Sequence, residues 1–355
     1  MKVIVNARFL TQAITGVQRF AIELSKRLKN SHDIHVEFVS PKGIIHSNLA
    51  DELNAKVIGS FQGHLWEQVD LPVYLKKNNS PLLLNLCSTA PIFYNPQIVT
   101  HHDITYIRYP ESFSKKFVQF YKLIVPLMLK NSKKIITVSD FSKNEISNYY
   151  NITKDKFIVI YNGVDTNQFI NIEQKNVSNR KYILAVSSRN FHKNFQGLID
   201  AFKNIQHTQK DVDLFIVGYS SLKSFNNIQL DVEDLEKQGR IRFLGRVDDH
   251  ELISLYQNAS LFIFPSLYEG FGIPPLEAQA CGCPVISSNQ ASMPEILSDS
   301  VLYFNPSSAE NLEEKIIYFY NNPELKSQLV KKGLRNVKRF DWNNSVEILR
   351  EVIRF

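Results

Sequence analysis

Two glutamates, Glu269 and Glu277, lie eight positions apart in the stretch YEGFGIPPLE, on either side of a turn rich in glycine and proline. The preceding run LFIFPS is typical of a buried strand, and Pro274-Pro275 suits the first turn of a helix. Both carboxylates would then lie at the carboxyl end of a strand, where doubly wound sheets bind ligands. Because carboxylates repel phosphate, we expect them to bind hydroxyls, such as a ribose diol and the hydroxyls of a sugar.

Glycines could bring backbone amides close to the same ligand. Gly270 and Gly272 permit unusual backbone angles, and amides near a helix N-terminus can hold a diphosphate or sugar oxygen. Gly16 opens a helix after the first strand, where phosphate could bind in the same way. Two plainer interpretations stay open: Gly16 as an ordinary helix-start glycine and Glu277 as a residue that the helix dipole favours. No GxGxxG or GxxxxGK[ST] motif follows a strand, so dinucleotide cofactors and P-loop chemistry lack their fingerprints.

Strand-like and helix-like segments alternate along the chain in two series. Short β-branched runs recur from VIVNA at residue 3 to FIVIY at 157, and again from KYILAVSS at 181 to VLYF at 301. This alternation predicts parallel sheets covered by helices on both faces. We therefore predict an α/β fold with two Rossmann-like domains, 1–165 and 181–340, an interdomain cleft, a polar linker at 166–180 and a C-terminal helix at 341–355.

Composition restricts the class of protein further. The chain has 44% hydrophobic residues and no apolar run of membrane-spanning length, and its first ten residues lack the pattern of a signal peptide, so we expect a cytoplasmic protein. Three cysteines are too few for a disulfide framework and lack a second ligand pair for zinc. Up to residue 165 there are 20 Lys/Arg against 13 Asp/Glu, and beyond it 21 against 22. The positive charge of the first half indicates an anionic partner there.

The stretch from Ser266 to Glu277 resembles the E-x7-E signature of retaining glycosyltransferases of the GT-B fold, especially glycosyltransferase family 4. Further similar motifs are TGVQR at 15–19, HHD at 101–103, VSDFS at 138–142, NGVD at 162–165, HKN at 192–194 and MPEI at 293–296. The resemblance implies that the nucleotide-sugar donor binds the C-terminal domain and the acceptor the N-terminal domain. It also implies that the last helix packs back on the N-terminal domain.

Site residues follow from the same resemblance. Glu277 matches the residue that binds the ribose hydroxyls, and Glu269 the one near the transferred sugar. Lys193 matches the lysine that neutralises the leaving diphosphate, although a lone lysine would otherwise be an ordinary surface charge.

Two histidines and an arginine complete the comparison with the family. His102 matches the histidine beside the donor sugar, with a packed histidine as the plainer interpretation, and His101 is expected to be a packing residue. Arg189 stands one position from the family's usual phosphate-binding arginine, where Ser188 occurs instead, so its role is open. The donor-binding set that the resemblance implies consists of Gly16, Arg189, Lys193, Phe271, Gly272, Ile273 and Glu277.

The segment 114–134 mixes lysines with large apolar residues. Lys115, Lys116 and Lys122 lie among Phe117, Phe120 and other apolar side chains, a pattern that fits an amphipathic helix on an anionic membrane. Pro126 interrupts the pattern, and a half-buried helix with a solvated rim is the open alternative.

The combined prediction is a retaining, metal-independent hexosyltransferase without a cofactor. It would transfer a hexose, with mannose from GDP-mannose as the first choice, to a hydroxyl of a lipid-linked glycan in surface-polysaccharide synthesis. The membrane contact would be peripheral, on the cytoplasmic face. The alternatives are a UDP-, dTDP- or other GDP-linked donor, or a nucleotide-sugar epimerase of the same architecture. A nucleic-acid-binding function is disfavoured, because no recognisable nucleic-acid-binding module occurs.

Overall fold

The computed structural model describes residues 2–171, 180–186, 190–218 and 233–354. The chain divides into two compact units. Unit 1 comprises Met1–Arg108, Ser114–Gly163 and Trp342–Phe355, and unit 2 comprises Tyr109–Phe113 and Val164–Asp341. Arg189 lies outside the described residues, as do 172–179 of the predicted linker.

Unit 1 is built on a parallel sheet with seven strands in the described part of the chain. They are β1 (Lys2–Asn6), β2 (His35–Ser40), β3 (Lys56–Val57), β4 (Leu82–Asn85), β5 (Gln97–Thr100), β6 (Lys134–Thr137) and β7 (Phe157–Val159), in the order β3-β2-β1-β4-β5-β6-β7. The helices of this unit are α1 (Gly16–Lys29), α2 (Ser47–Leu53), α3 (Gly63–Gln68), α4 (Asp70–Lys77), α5 (Thr105–Arg108), α6 (Lys115–Asn131) and α7 (Asp140–Tyr150). The central strands are buried, as their continuous apolar runs predict.

Unit 2 repeats this plan with six parallel strands among its described residues. They are β8 (Lys181–Val186), β9 (Val212–Val217), β10 (Ile241–Gly245), β11 (Leu261–Phe264), β12 (Val285–Ser288) and β13 (Leu302–Phe304), in the order β10-β9-β8-β11-β12-β13. The helices are α8 (Phe195–Ile205), α9 (Glu233–Lys237), α10 (Asp249–Asn258), α11 (Ile273–Ala280), α12 (Met293–Leu297), α13 (Ala309–Asn321) and α14 (Pro323–Val337). The predicted α/β class with two Rossmann-like sheets is confirmed.

The last helix, α15 (Trp342–Arg354), belongs to unit 1 and packs against α1. Its buried residues Trp342, Val346, Leu349 and Ile353 follow the spacing of one helix face. The Trp342 ring lies 6.1 Å from that of Phe20, and Arg350 Nε donates a hydrogen bond of 2.7 Å to Ser31 Oγ. The helix thus packs on the N-terminal sheet unit by apolar burial and by polar contacts.

Two segments differ from the predicted domain boundaries. Residues 109–113 group with unit 2, where Ser112 Oγ lies 2.9 Å from His192 Nδ1. The described start of the predicted linker also packs on unit 2: Phe169 is buried near the Tyr256 ring, and Gln257 Nε2 donates to the Ile170 carbonyl at 2.8 Å. A polar composition did not reveal these contacts, because Phe169 is the one large apolar side chain that is buried among the described residues 166–171.

The predicted interruption at Pro126 is not observed, because α6 continues through it to Asn131. A proline within a helix leaves the carbonyl four residues earlier without its backbone donor. That residue is Lys122, which is exposed, so water can satisfy its carbonyl.

Candidate functional site

The two loops of unit 2 that carry Lys193 and Glu269 leave neighbouring strands at the point where the strand order reverses. β8 pairs with β9 on one side and with β11 on the other. Lys193 lies in the connection after β8, and Glu269 in the connection after β11. In open parallel sheets, ligands bind in the crevice beyond the carboxyl ends of such a pair of strands.

Lys193 and Glu269 form an ion pair at this point. The Lys193 Nζ atom lies 2.5 Å from Glu269 Oε1, and the two side chains are 17% and 14% exposed. The two residues are 76 positions apart in the chain. A cation and a carboxylate that are both fixed, and both partly open to solvent, can respectively bind an anion and accept hydrogen bonds from hydroxyls.

Ser292 stabilises the turn between β11 and α11 by hydrogen bonds. Its hydroxyl donates to the backbone carbonyls of Glu269, at 3.0 Å, and of Phe271, at 3.2 Å. The backbone amide of Leu267 also donates to the His192 carbonyl at 2.7 Å, which joins this turn to the residue beside Lys193. Hydrogen bonds therefore fix the carboxylate loop and the lysine loop relative to each other.

Gly272 is required by the backbone of this turn. Its φ is +89°, and a Cβ atom built there would lie 2.5 Å from Met293 Cε. Any other residue would meet both the left-handed backbone and this methyl group. Gly272 directly precedes α11, which begins at Ile273 with prolines in its first turn.

Glu277 lies in the second turn of α11 and is buried, with 7% of its surface exposed. Its Oε2 atom accepts a hydrogen bond of 3.1 Å from the hydroxyl of Tyr256, which is fully buried on α10. Burial, followed by the nearby Glu277 carboxylate, raises the pKa of Tyr256 well above its usual value, so the tyrosine stays a donor. Sequence reasoning did not identify Tyr256, because it precedes Glu277 by 21 positions.

The other described donor-binding candidates lie in two different places, three beside Glu269 in unit 2 and one in unit 1. Phe271 is buried, with its ring 5.6 Å from Phe340, and it lies with Gly272 and Ile273 at the start of α11 beside Glu269. Gly16 is the exposed first residue of α1 in unit 1.

His102 and His101 follow β5 in unit 1 and are both buried. The His102 ring lies 5.1 Å from Phe20 of α1, and its Nε2 atom is 3.4 Å from the Leu86 carbonyl. His101 is packed among tyrosines, with Nε2 3.2 Å from the Tyr106 hydroxyl. Burial, which outweighs the effect of Asp103, lowers the pKa of each histidine to about 4, so both are neutral near pH 7.

A buried ionic cluster in unit 1 was not predicted. Glu67 on α3 is fully buried, and its Oε1 atom accepts hydrogen bonds from Asn6 Nδ2 at 2.9 Å and from Arg8 Nε at 3.2 Å. Its Oε2 atom lies 3.3 Å from His64 Nδ1. Burial would raise the Glu67 pKa, but the Arg8 charge and hydrogen bonds from His64 and Thr89 outweigh it and lower the pKa to about 2. The sequence feature that could have indicated this cluster is the asparagine that ends each of the apolar runs VIVN and LLLN, at Asn6 and Asn85.

The lysines proposed for membrane contact lie on one exposed helix. Lys115, Lys116 and Lys122 are all exposed on α6, as are Leu123, at 65%, and Leu127, at 40%. Within the described ranges, no helix has the length and hydrophobicity needed to cross a bilayer. In that same part of the chain, no three His, Cys, Asp or Glu residues are grouped so that they could hold a metal ion.

Two family models match consecutive parts of the chain. Residues 14–168 match Glycosyltransferase Family 4, and residues 167–335 match Glycosyl transferases group 1. Together these matches cover both sheet units except their terminal segments.

Full-length relatives carry related names. The O-antigen chain mannosyltransferase RfbU of Salmonella typhimurium is 29% identical, over 98% of this chain and 98% of its own. The O-antigen chain mannosyltransferase B of Escherichia coli is 28% identical, over 97% of each chain.

Solved structures share the fold. A glycosyltransferase from Rickettsia africae has a TM-score of 0.76 at 22% identity, covering 99% of this chain and 97% of that one. HepE from Anabaena, solved with UDP and glucose, has a TM-score of 0.78 at 18% identity, covering 100% and 99%. At these identities the likeness concerns the fold alone, and it confirms the predicted GT-B class.

Proposed function

Because the chain belongs to the glycosyltransferases, with a family 4 domain followed by a group 1 domain, we propose that it transfers a hexose from a nucleotide sugar to a hydroxyl of a lipid-linked glycan. The observation that carries this proposal is the Lys193–Glu269 ion pair at the strand-order reversal of unit 2, with Glu277 buried eight residues beyond Glu269. This arrangement supplies a cation for a diphosphate and carboxylates for hydroxyls on either side of it.

Lys193 would act on the leaving group. Breaking the bond between the sugar and the phosphate adds negative charge to the terminal oxygen of the diphosphate. A fixed ammonium group stabilises that charge more in the transition state than in the bound donor, and this difference accelerates the reaction. Glu269 holds the ammonium in place before the donor binds and would then accept hydrogen bonds from the transferred sugar.

Glu277 would hold the ribose. A carboxylate accepts several hydrogen bonds, and the Tyr256 hydroxyl fixes the orientation of this one. Amides of Phe271 and Gly272, at the start of α11, would lie beside the diphosphate or the sugar. His102, neutral at physiological pH, is assigned to the sugar side by resemblance to the family.

The finer substrate assignment is mannose from GDP-mannose. The names of the two full-length relatives support mannose. HepE binds UDP and UDP-glucose in its solved structures, which keeps a UDP-linked sugar as the alternative donor.

The proposed reaction retains the anomeric configuration and needs no metal or cofactor. The acceptor hydroxyl would attack on the face from which the diphosphate departs, and the departing oxygen would take its proton. Retention is carried over from the family resemblance, and Lys193 supplies the positive charge that a metal would otherwise provide.

We further propose a peripheral contact with the cytoplasmic face of the membrane through α6. Leu123 and Leu127 lie on the exposed face of this helix, one turn apart, close in sequence to Lys122. Apolar side chains could enter the interface while the lysines meet anionic lipid headgroups. This contact would bring the enzyme to a lipid-linked acceptor.

A panel of nucleotide sugars tests the proposal through thermal stabilisation. A donor at about 100 times its Kd adds roughly 2.7 kcal/mol to the free energy of unfolding, so the melting temperature of the protein should rise measurably. We expect a GDP- or UDP-linked sugar to stabilise the wild type and Glu251→Ala, an exposed glutamate of unit 2, but to stabilise Glu277→Ala much less. If no nucleotide sugar stabilises the wild type, the proposal is wrong.

A further inference from the structure

A second group of polar side chains lies at the strand-order reversal of unit 1. β1 pairs with β2 on one side and with β4 on the other, so the crevice beyond their carboxyl ends is a favoured ligand position. Asn6 ends β1, Asn85 ends β4, and Asn6 Nδ2 donates to Asn85 Oδ1 at 3.0 Å. Arg8 lies two residues after β1, and its backbone N–H donates to Asn6 Oδ1 at 3.1 Å.

The Arg8 side chain is 9% exposed, and its guanidinium is held by two side chains of this unit. Its Nε atom donates to Glu67, and its Nη2 atom donates to Thr89 Oγ1 at 2.8 Å. Within the described part of the chain, Nη1 makes no hydrogen bond to protein. Glu67 and Thr89 thus fix the plane of the guanidinium and leave donors on its remaining edge.

His64 adds an acceptor beside these donors. Its Nδ1 atom lies 3.3 Å from the ionised Glu67, so it carries the proton, and in the neutral imidazole Nε2 is then an acceptor. The His64 side chain is 39% exposed. Among the described residues, its Nε2 has no hydrogen-bond partner.

Aromatic residues of α6 form a wall beside the polar groups. The Phe120 ring lies 4.5 Å from the His64 ring, and Tyr121 stacks on Phe117 with 4.0 Å between ring centroids. Arg8 and Glu67 lie close enough to the Tyr121 hydroxyl to affect its pKa, which burial raises. No protein partner of this hydroxyl is found in the described ranges.

We infer that Arg8, His64, Glu67 and Tyr121, here called the Arg8 cluster, form the subsite for an uncharged sugar ring of the acceptor. Hydroxyl groups both donate and accept hydrogen bonds, which matches the donors of Arg8, the acceptor of His64 and the hydroxyl of Tyr121. Such a mixture of aromatic wall and a few convergent polar groups is typical of small-molecule sites. The Glu67 charge offsets that of Arg8, which favours a neutral sugar over a phosphate.

The assignment of this sugar to the acceptor rests on the proposed function, but the binding test does not. Methyl glycosides of mannose, glucose, galactose and N-acetylglucosamine would be titrated against the full chain by saturation-transfer NMR. We expect at least one to bind the wild type, and Tyr121→Phe and His64→Ala each to weaken it about fivefold, the effect of one lost hydrogen bond. The control His35→Ala changes an exposed histidine at the amino end of β2 and should leave binding unchanged.

Three outcomes would overturn the inference: no glycoside binds, both cluster variants bind as the wild type does, or inorganic diphosphate binds at the Arg8 cluster in place of sugars. Lys193→Ala should retain glycoside binding, which separates this subsite from the donor site of unit 2. If glycosides bind as expected while no nucleotide sugar binds, the proposed transfer function fails and the sugar subsite stands.

Discussion

At the scale of single residues, the contact between Lys193 and Glu269 is the feature with the clearest chemical consequence. We expect Lys193→Ala to lower kcat by a larger factor than it weakens donor binding, because the charge on the leaving oxygen grows toward the transition state. Rapid-quench measurement of transfer together with calorimetric donor titration would separate the two quantities.

Lys210→Ala is the matched control for this prediction, since Lys210 is an exposed lysine of the same unit. It should leave both quantities unchanged. A Lys193 variant that loses donor affinity with kcat intact would show that the lysine only anchors the donor.

Tyr256 offers a second test at this scale. Tyr256→Phe removes the hydroxyl that orients Glu277, and it leaves that carboxylate with one donor fewer. We expect donor affinity to fall between about twofold and tenfold, measured by calorimetry.

The control Tyr182→Phe also removes a hydrogen bond in unit 2, the partly buried one from the hydroxyl to the Leu255 carbonyl at 2.7 Å. It should lower stability without changing donor affinity. Equal donor affinities for Tyr256→Phe and the wild type would refute the role given to Tyr256.

At the scale of elements, the β11–α11 turn determines where both glutamates lie. Gly272→Ala would place a Cβ atom against Met293 in a left-handed backbone, so we expect the free energy of unfolding to fall by about 1–3 kcal/mol and transfer activity to fall with it. Denaturant titration and a labelled-donor assay measure the two effects.

Gly239→Ala is the control, because Gly239 has a similar φ of +70° but, among the described residues, its Cβ would meet only the Arg242 side chain, at 3.8 Å. The Gly272 variant should lose more stability than this control. Equal losses would mean that backbone strain, and not the contact with Met293, restricts the turn.

Helix α6 carries the prediction of membrane contact. Replacing Lys115, Lys116 and Lys122 together by Glu should abolish sedimentation with anionic vesicles, because charge attraction to the headgroups becomes repulsion. Wild-type protein should bind anionic vesicles, less strongly at high salt, and should not bind neutral ones. Equal binding of the wild type to neutral vesicles, or none to either kind, would contradict the contact.

At the scale of the whole molecule, the sequence predicted both sheets well because buried parallel strands are nearly continuous apolar runs. It did not predict β3, which has two exposed residues, or helices α2 to α4. Residues 109–113 could not be assigned to unit 2 from their composition, because their contact with His192 joins positions 80 apart.

Part of the candidate site could be proposed from the sequence. Glu269, Glu277 and Lys193 stand out through their spacing and the family resemblance, and their roles stay predictions. The side-chain contacts were not predicted. The Lys193–Glu269 pair, the Tyr256 hydrogen bond and the Glu67 network each join residues that are distant in sequence. Such pairings follow from tertiary packing, which local periodicity does not encode.

The central claim is that this chain cleaves a nucleotide sugar with retention, and slow cleavage without an acceptor tests it most directly. The donor that stabilises the protein most would be incubated with a high concentration of enzyme, and proton NMR would identify the first products. The account predicts release of the nucleoside diphosphate together with the free sugar in the anomeric configuration of the donor. An inverted sugar, an isomerised nucleotide sugar or an intact donor would contradict it.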